Sequence, residues 1–164
     1  MNIFYLDRSV IKCARDHNDK HVVKMILETA QLLCGAHWAT GGSAPYKLSH
    51  KNHPCAIWVR SNMENYIWLC MLGRELCNEY TYRYGKTHKS QQIIEWCMTN
   101  IPNIRSNGDL TPFALAMPDE YKVDGDSIQA YHNYYIGAKQ SFAVWTNRPI
   151  PEWYVSNYKS RGFK

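Results

Sequence analysis

The sequence contains no run approaching the roughly 20 apolar residues that a membrane-spanning helix needs. Its opening, MNIFYLDRS, is too short and too soon acidic for a signal peptide. A soluble, cytoplasmic protein with no membrane partner is therefore expected. Also missing are the period-2 alternation of half-buried strands, a Rossmann glycine motif, a P-loop, a G-x-S-x-G elbow and any internal repeat. Those absences exclude several nucleotide-binding and serine-hydrolase classes. They leave an all-α chain folded as a single multi-helix domain with long ordered loops. None of the six cysteines (13, 34, 55, 70, 77, 97) pairs as C-x-x-C, and most lie inside apolar helical patterns. Buried free thiols are the leading expectation, with disulfides or metal ligation as alternatives. There is no arginine-rich arm and no block of basic residues.

What is present is aromatic and mildly basic. Six Trp and twelve Tyr occur in 164 residues, with 19 Lys and Arg against 14 Asp and Glu, a net charge of +5. This composition excludes a disordered chain. The charge favours an anionic partner, and aromatic rings supply either core or stacking surface for bases. The domain is expected to span residues 1–153, followed by a basic tail over 154–164.

The most informative stretch is DHNDKHVVKMILETAQLLCGAHW, Asp16 to Trp38. At about 100° per residue, His17, His21, Lys24, Glu28 and Gln31 fall within an arc of roughly 80°. Val22, Val23, Ile26, Leu27, Ala30, Leu33 and Cys34 fill the other side. Two imidazoles, an ammonium and a carboxylate between apolar walls point to the floor of a cleft. The competing reading is an ordinary solvated stripe whose Lys24 and Glu28 pair at i,i+4.

Further along, Ser9 is placed to cap a short helix, and Asn18 or Asp19 the long one. Pro54 suits a helix start. Ser61 and Glu64 match a capping box for a helix running to about Tyr84, with Gly85 at its end. A helix over about Ser90–Met98 follows. Residues 103–122 read as a long ordered loop with one turn of helix, of the length often used functionally. Ser127 opens a last helix that runs to about Trp145.

Two more constellations accompany the stripe. His50-Lys51-Asn52-His53-Pro54 is a His/Lys/Asn loop ahead of a helix, suited either to phosphate or simply to capping. Arg60, Arg83 and Lys86 would extend it as a basic rim. Tyr131, Tyr134, Tyr135 and Lys139, then Trp145 through Arg148 to Trp153, interleave aromatics with cations, as a stacking surface or as core. Metal binding is not expected, because HNDKH lacks the glutamate of H-E-x-x-H.

The blocks MNIFYLD…DKHVVKMILETAQLL, HKNHPCAIWVRSNMENYIWL, EYTYRYGK and RPIPEW resemble a group of small uncharacterised proteins from phages and large viruses. More remotely, the layout is similar to the pyrimidine-dimer DNA glycosylases of the phage endonuclease V type. That resemblance implies a compact, basic, all-α DNA-repair enzyme without a cofactor, acting on a base-flipped pyrimidine. It implies Glu28 as the catalytic carboxylate, with His17 and His21 beside it and Asn52-His53-Pro54 at the DNA. In the phage type, the nucleophile is the terminal amine left after methionine removal. Asn2 is too large for that removal here, so Met1 itself would serve, with a buried Lys24 as the other candidate amine. The expected catalytic set is Met1, Lys24, Glu28 and His21, the last shuttling a proton near its ordinary pKa of about 6.5. His17, His50, Lys51, Asn52, His53, Arg60, Arg83, Lys86, Tyr131, Lys139 and Arg148 would contact nucleic acid. Two alternatives stay open: a nucleotide- or host-protein-binding inhibitor without catalysis, and a DNA base-modifying transferase.

Overall fold

The computed structural model describes residues 1–160. Over them the chain forms seven α-helices and no strand: α1 (Val10–Asp16), α2 (Asp19–Ala39), α3 (Pro54–Arg60), α4 (Met63–Tyr84), α5 (Gln91–Thr99), α6 (Ser127–Ala138) and α7 (Glu152–Ser160). Single 3-10 turns lie at Asp119–Tyr121 and Gln140–Phe142. α2 and α4 are the long rods. They pack on each other, with α3 and α5 against both and α1 against α4. Gly73 lets α4 approach closely, since a Cβ there would sit 3.0 Å from Thr29 Cγ2 and 3.2 Å from the Ile94 side chain. All six cysteines are buried free thiols.

Local chemistry sets most helix ends as expected. Ser9 Oγ accepts from the Lys12 N–H at 3.3 Å and Asn18 Oδ1 from the His21 N–H at 3.0 Å. Pro54 opens α3, while the His53 ring accepts from the Cys55 N–H at 3.1 Å. Gly85, at φ 66°, closes α4. The Ser61–Glu64 capping box does not form. Asn62 is the N-cap residue, and Glu64 accepts instead from Ser106 and from the N–H groups of Asn107 and Gly108. Those loop amides have no helical partner, so the carboxylate anchors the 103–122 segment rather than its own helix.

The C-terminal third differs more. α6 stops at Ala138, because the Val144 carbonyl is drawn to the Asp19 N–H (2.8 Å) at the start of α2. The expected boundary between domain and basic tail falls inside a helix: α7 begins at Glu152 and passes through Tyr154. Trp153 stacks on His132 with 3.8 Å between ring centroids and donates its indole N–H to Asp16, and Tyr154 packs on Trp145. The last expected tail residues, 161–164, lie outside the described ones.

Arg83 and Arg148, expected to hold phosphates, are built into the frame instead. The Arg83 guanidinium is buried, with Glu79 at 2.7 Å, Asp19 at 3.0 Å and the carbonyls of His17 and Arg15 at 2.8 and 2.9 Å. Arg148 holds the same Glu79 at 2.8 Å and lies over the Tyr82 ring. Two guanidinium groups against two carboxylates leave this network neutral. Each buried charge is therefore paired, as its desolvation demands.

Candidate active site

The first six residues form no regular structure, yet they are among the most deeply held. Ile3, Phe4 and Leu6 are buried, worth roughly 1.5–3 kcal/mol each. The Cys13 thiol donates to the Phe4 carbonyl at 3.2 Å and the His132 ring bonds the Leu6 carbonyl at 2.8 Å. The segment is thus fixed between α1 and α6 and delivers the chain terminus to the middle of α2. There the Met1 amine lies 2.8 Å from Glu28 Oε1, the two side chains being 3% and 8% exposed. Glu28 Oε2 is buried and makes no hydrogen bond among the described residues.

Asn2 fastens this arrangement. Its Oδ1 accepts from the Ile3 N–H (2.8 Å) and the Cys55 thiol (3.5 Å), and it shares the single Tyr131 hydroxyl proton (3.2 Å) with the nearer Ala114 carbonyl (2.6 Å). Its Nδ2 donates to the Ala116 carbonyl at 2.9 Å. Three otherwise separate pieces of chain, α3, α6 and the 103–122 loop, therefore meet at one side chain. Next to them stands His53. Burial lowers its pKa most, the positive terminal amine and His50 lower it further, and Glu28 pulls it back up. With Nδ1 accepting from the Cys55 N–H, its neutral ring carries the proton on Nε2.

The expected ionisable stripe is therefore split. His17 is not on α2 but ends α1 in extended conformation; it, His21 and Glu28 are buried, while Lys24 is exposed and Gln31 half-buried. Val23 and Leu27, placed by periodicity on the apolar side, are exposed as well. Lys24 thus lacks the burial that activates a lysine amine. His17 is not a DNA contact: it has no exposure, its Nδ1 donates to the Cys13 carbonyl at 2.7 Å, and burial pushes its pKa down to about 4. His21 stacks on Phe4 at 4.2 Å and meets the Tyr135 hydroxyl at 2.6 Å. Burial, with the charges of His17, Lys139 and Lys24, pushes its pKa down to about 2. Such an imidazole stays neutral at physiological pH, so the proton shuttle expected of it is lost.

Tyr131 is fully buried and donates to the Ala114 carbonyl at 2.6 Å, which rules out a stacking role. His50, Lys51, Asn52 and Lys86 are exposed, and Arg60 reaches the Lys51 carbonyl at 2.6 Å, stiffening the His50–His53 turn. Lys139 lies over the Tyr134 ring at 4.6 Å and near Phe4 at 5.9 Å, and Lys20 lies over Phe142 at 4.9 Å. A cationic and aromatic margin thus borders His21 on the side of α6.

Two roomy surface clefts lie elsewhere. One of about 650 Å³ sits beside His37 and Trp96, another of about 720 Å³ between α1 and Arg148–Glu152. Neither is lined by Met1, Glu28 or His53. Among the described residues no group of three or more His, Cys, Asp or Glu side chains is placed to hold a metal ion, and no helix is long and apolar enough to cross a membrane. Comparison with family models, with curated proteins and with solved structures yields no match to this chain.

Proposed function

We propose that the protein is a DNA glycosylase with abasic-site lyase activity, acting on a damaged or flipped pyrimidine nucleotide through its terminal amine. The observation that carries this reading is the 2.8 Å pair of Met1 amine and Glu28 carboxylate, with the second carboxylate oxygen unpartnered. An ammonium does not attack carbon, so the nucleophile must first lose a proton, and Glu28 is in place to take it. The amine then attacks C1′. The glycosidic bond breaks toward the base, which leaves with the electron pair and takes up a proton. Ring opening breaks the C1′–O4′ bond, O4′ takes up a proton from solvent, and a protonated imine forms between C1′ and Met1. Transfer of a C2′ proton to the Glu28 carboxylate then forms the C2′=C3′ bond and expels the 3′ phosphate. Glu28 takes the first proton and passes it to the departing base, and the carboxylate so restored would stabilise the positive charge that develops on the sugar. The exposed Lys51 and Lys86 and the half-buried Lys139 would hold phosphates, with the His50–His53 turn beside them.

The shielding of the amine requires the residues over Met1 to part when DNA binds, with the flipped nucleotide taking their place. That same shielding favours one second reading, a module that binds a nucleotide without chemistry. Incubating the protein with duplexes carrying an abasic site or a cyclobutane pyrimidine dimer separates the two. Strand cleavage that is lost in Glu28→Gln, with DNA affinity retained, supports the enzyme. Intact strands together with a thermal shift from free nucleotides support the module.

A further inference from the structure

The amide of Asn2 has a more specific task than packing. Its Oδ1 accepts from Ile3 and Cys55 and shares the Tyr131 proton with the Ala114 carbonyl, and its Nδ2 donates to the Ala116 carbonyl, tying the second residue to Ile3, α3, α6 and the 103–122 loop. One residue upstream, the Met1 amine reaches Glu28, and the Met1 side chain packs against the core. In this arrangement the amine that meets Glu28 is that of residue 1. Removing Met1 would withdraw the amine by one residue, about 3.8 Å along the chain, while leaving Glu28 where it is.

We propose that Asn2 is a positioning residue with two coupled effects: its bulk preserves Met1 from aminopeptidase removal, and its amide aims the Met1 amine at Glu28. The inference rests on the amine-dependent reading above and adds to it which residue fixes the nucleophile. Tyr131, buried and bonded to Asn2 Oδ1 and the Ala114 carbonyl, is the post against which Asn2 is set.

The test compares the full-length protein with Asn2→Gly and Asn2→Leu. Measured for each are intact mass, circular dichroism, affinity for abasic DNA, the rate of borohydride-trapped adduct, and the pH titration of the Met1 Cα NMR shift. The natural protein should retain methionine. Asn2→Gly should lose it and form adduct on the order of 100-fold more slowly at unchanged DNA affinity. Asn2→Leu should retain methionine, since leucine is also large. It loses the amide bonds, so its adduct rate should fall roughly 10- to 100-fold with the Met1 titration displaced. A purely structural role would lower stability and leave the rate and titration of the folded fraction alone. Asn2→Leu at the natural rate with an unmoved titration overturns the inference, as does Asn2→Gly that traps DNA normally after losing methionine. If the natural protein gives no adduct at all, the enzyme reading fails. The Met1 titration in Asn2→Leu then decides the positioning claim by itself.

Discussion

Acidification from pH 7 to pH 5 should cost the fold about 4 kcal/mol through two imidazoles. His17 is fully buried and its pKa is pushed down to about 4, while that of His21 is pushed down to about 2. In the unfolded chain both return to about 6.5. Their folded values lie below the unfolded one, so the unfolded state binds more protons, and stability falls as pH drops below about 6.5. At pH 5 each group costs about 2 kcal/mol, and His17 reaches about 3 kcal/mol near pH 4, where its loss levels off. Against a total of about 5–15 kcal/mol, that is enough to bring acid unfolding into the range of pH 4 to 5. Urea unfolding followed by tryptophan fluorescence at pH 7, 6 and 5 measures it, with the slope in urea constant. Long-range proton–nitrogen NMR should show His17 neutral with its proton on Nδ1 at pH 5, as its bond to the Cys13 carbonyl requires. A midpoint that ignores pH over this range, or either ring protonated in the folded protein at pH 5, refutes the reasoning.

Other consequences are independent of that one. Arg83→Met should destabilise by about 3–5 kcal/mol in denaturant titration, because it leaves the buried Glu79 with Arg148 as its one cation and the carbonyls of His17 and Arg15 without their donor. Gly73→Ala should cost about 1–3 kcal/mol in the same assay, through the tight approach of Thr29 and Ile94. Extending the chain by one glycine before Met1 moves the free amine away from Glu28 and should abolish adduct formation, while circular dichroism stays native. Lys51→Ala combined with Lys86→Ala should weaken DNA binding and flatten its salt dependence, by about 0.9 per lost phosphate contact. Unchanged salt slopes would move the DNA to another face.

The helices were legible because their ends are chemically marked. Ser9, Asn18, Pro54 and Gly85 each do at their terminus what their side chain or ring dictates. Ser61 and Glu64 misled because a capping box is a local pattern, whereas Glu64 has distant backbone donors within reach. α7 was hidden for a similar reason: its helix rests on Trp153 and Tyr154 finding His132 and Trp145, contacts that no window of sequence contains. At the site, Glu28 was visible from the stripe, and Met1 only through the resemblance. Periodicity places side chains around α2 but does not say that an extended terminus will cover them. That cover, Phe4 in particular, turned His17 and His21 from cleft residues into neutral core imidazoles. Nothing local marks Asn2 as an anchor, because its partners Cys55, Ala116 and Tyr131 lie far along the chain. Arg83 and Arg148 show the limit of reading cations as phosphate ligands, since burial and carboxylate partners decide their use.

The central claim is that the Met1 amine, set against Glu28, does the chemistry. The direct measurement is borohydride trapping on abasic-site DNA, followed by proteolysis and mass mapping of the cross-linked peptide. The account predicts an adduct on Met1 Nα, lost in Glu28→Gln. An adduct on Lys24 or any other lysine, or one whose yield is unaffected by Glu28→Gln, would contradict it.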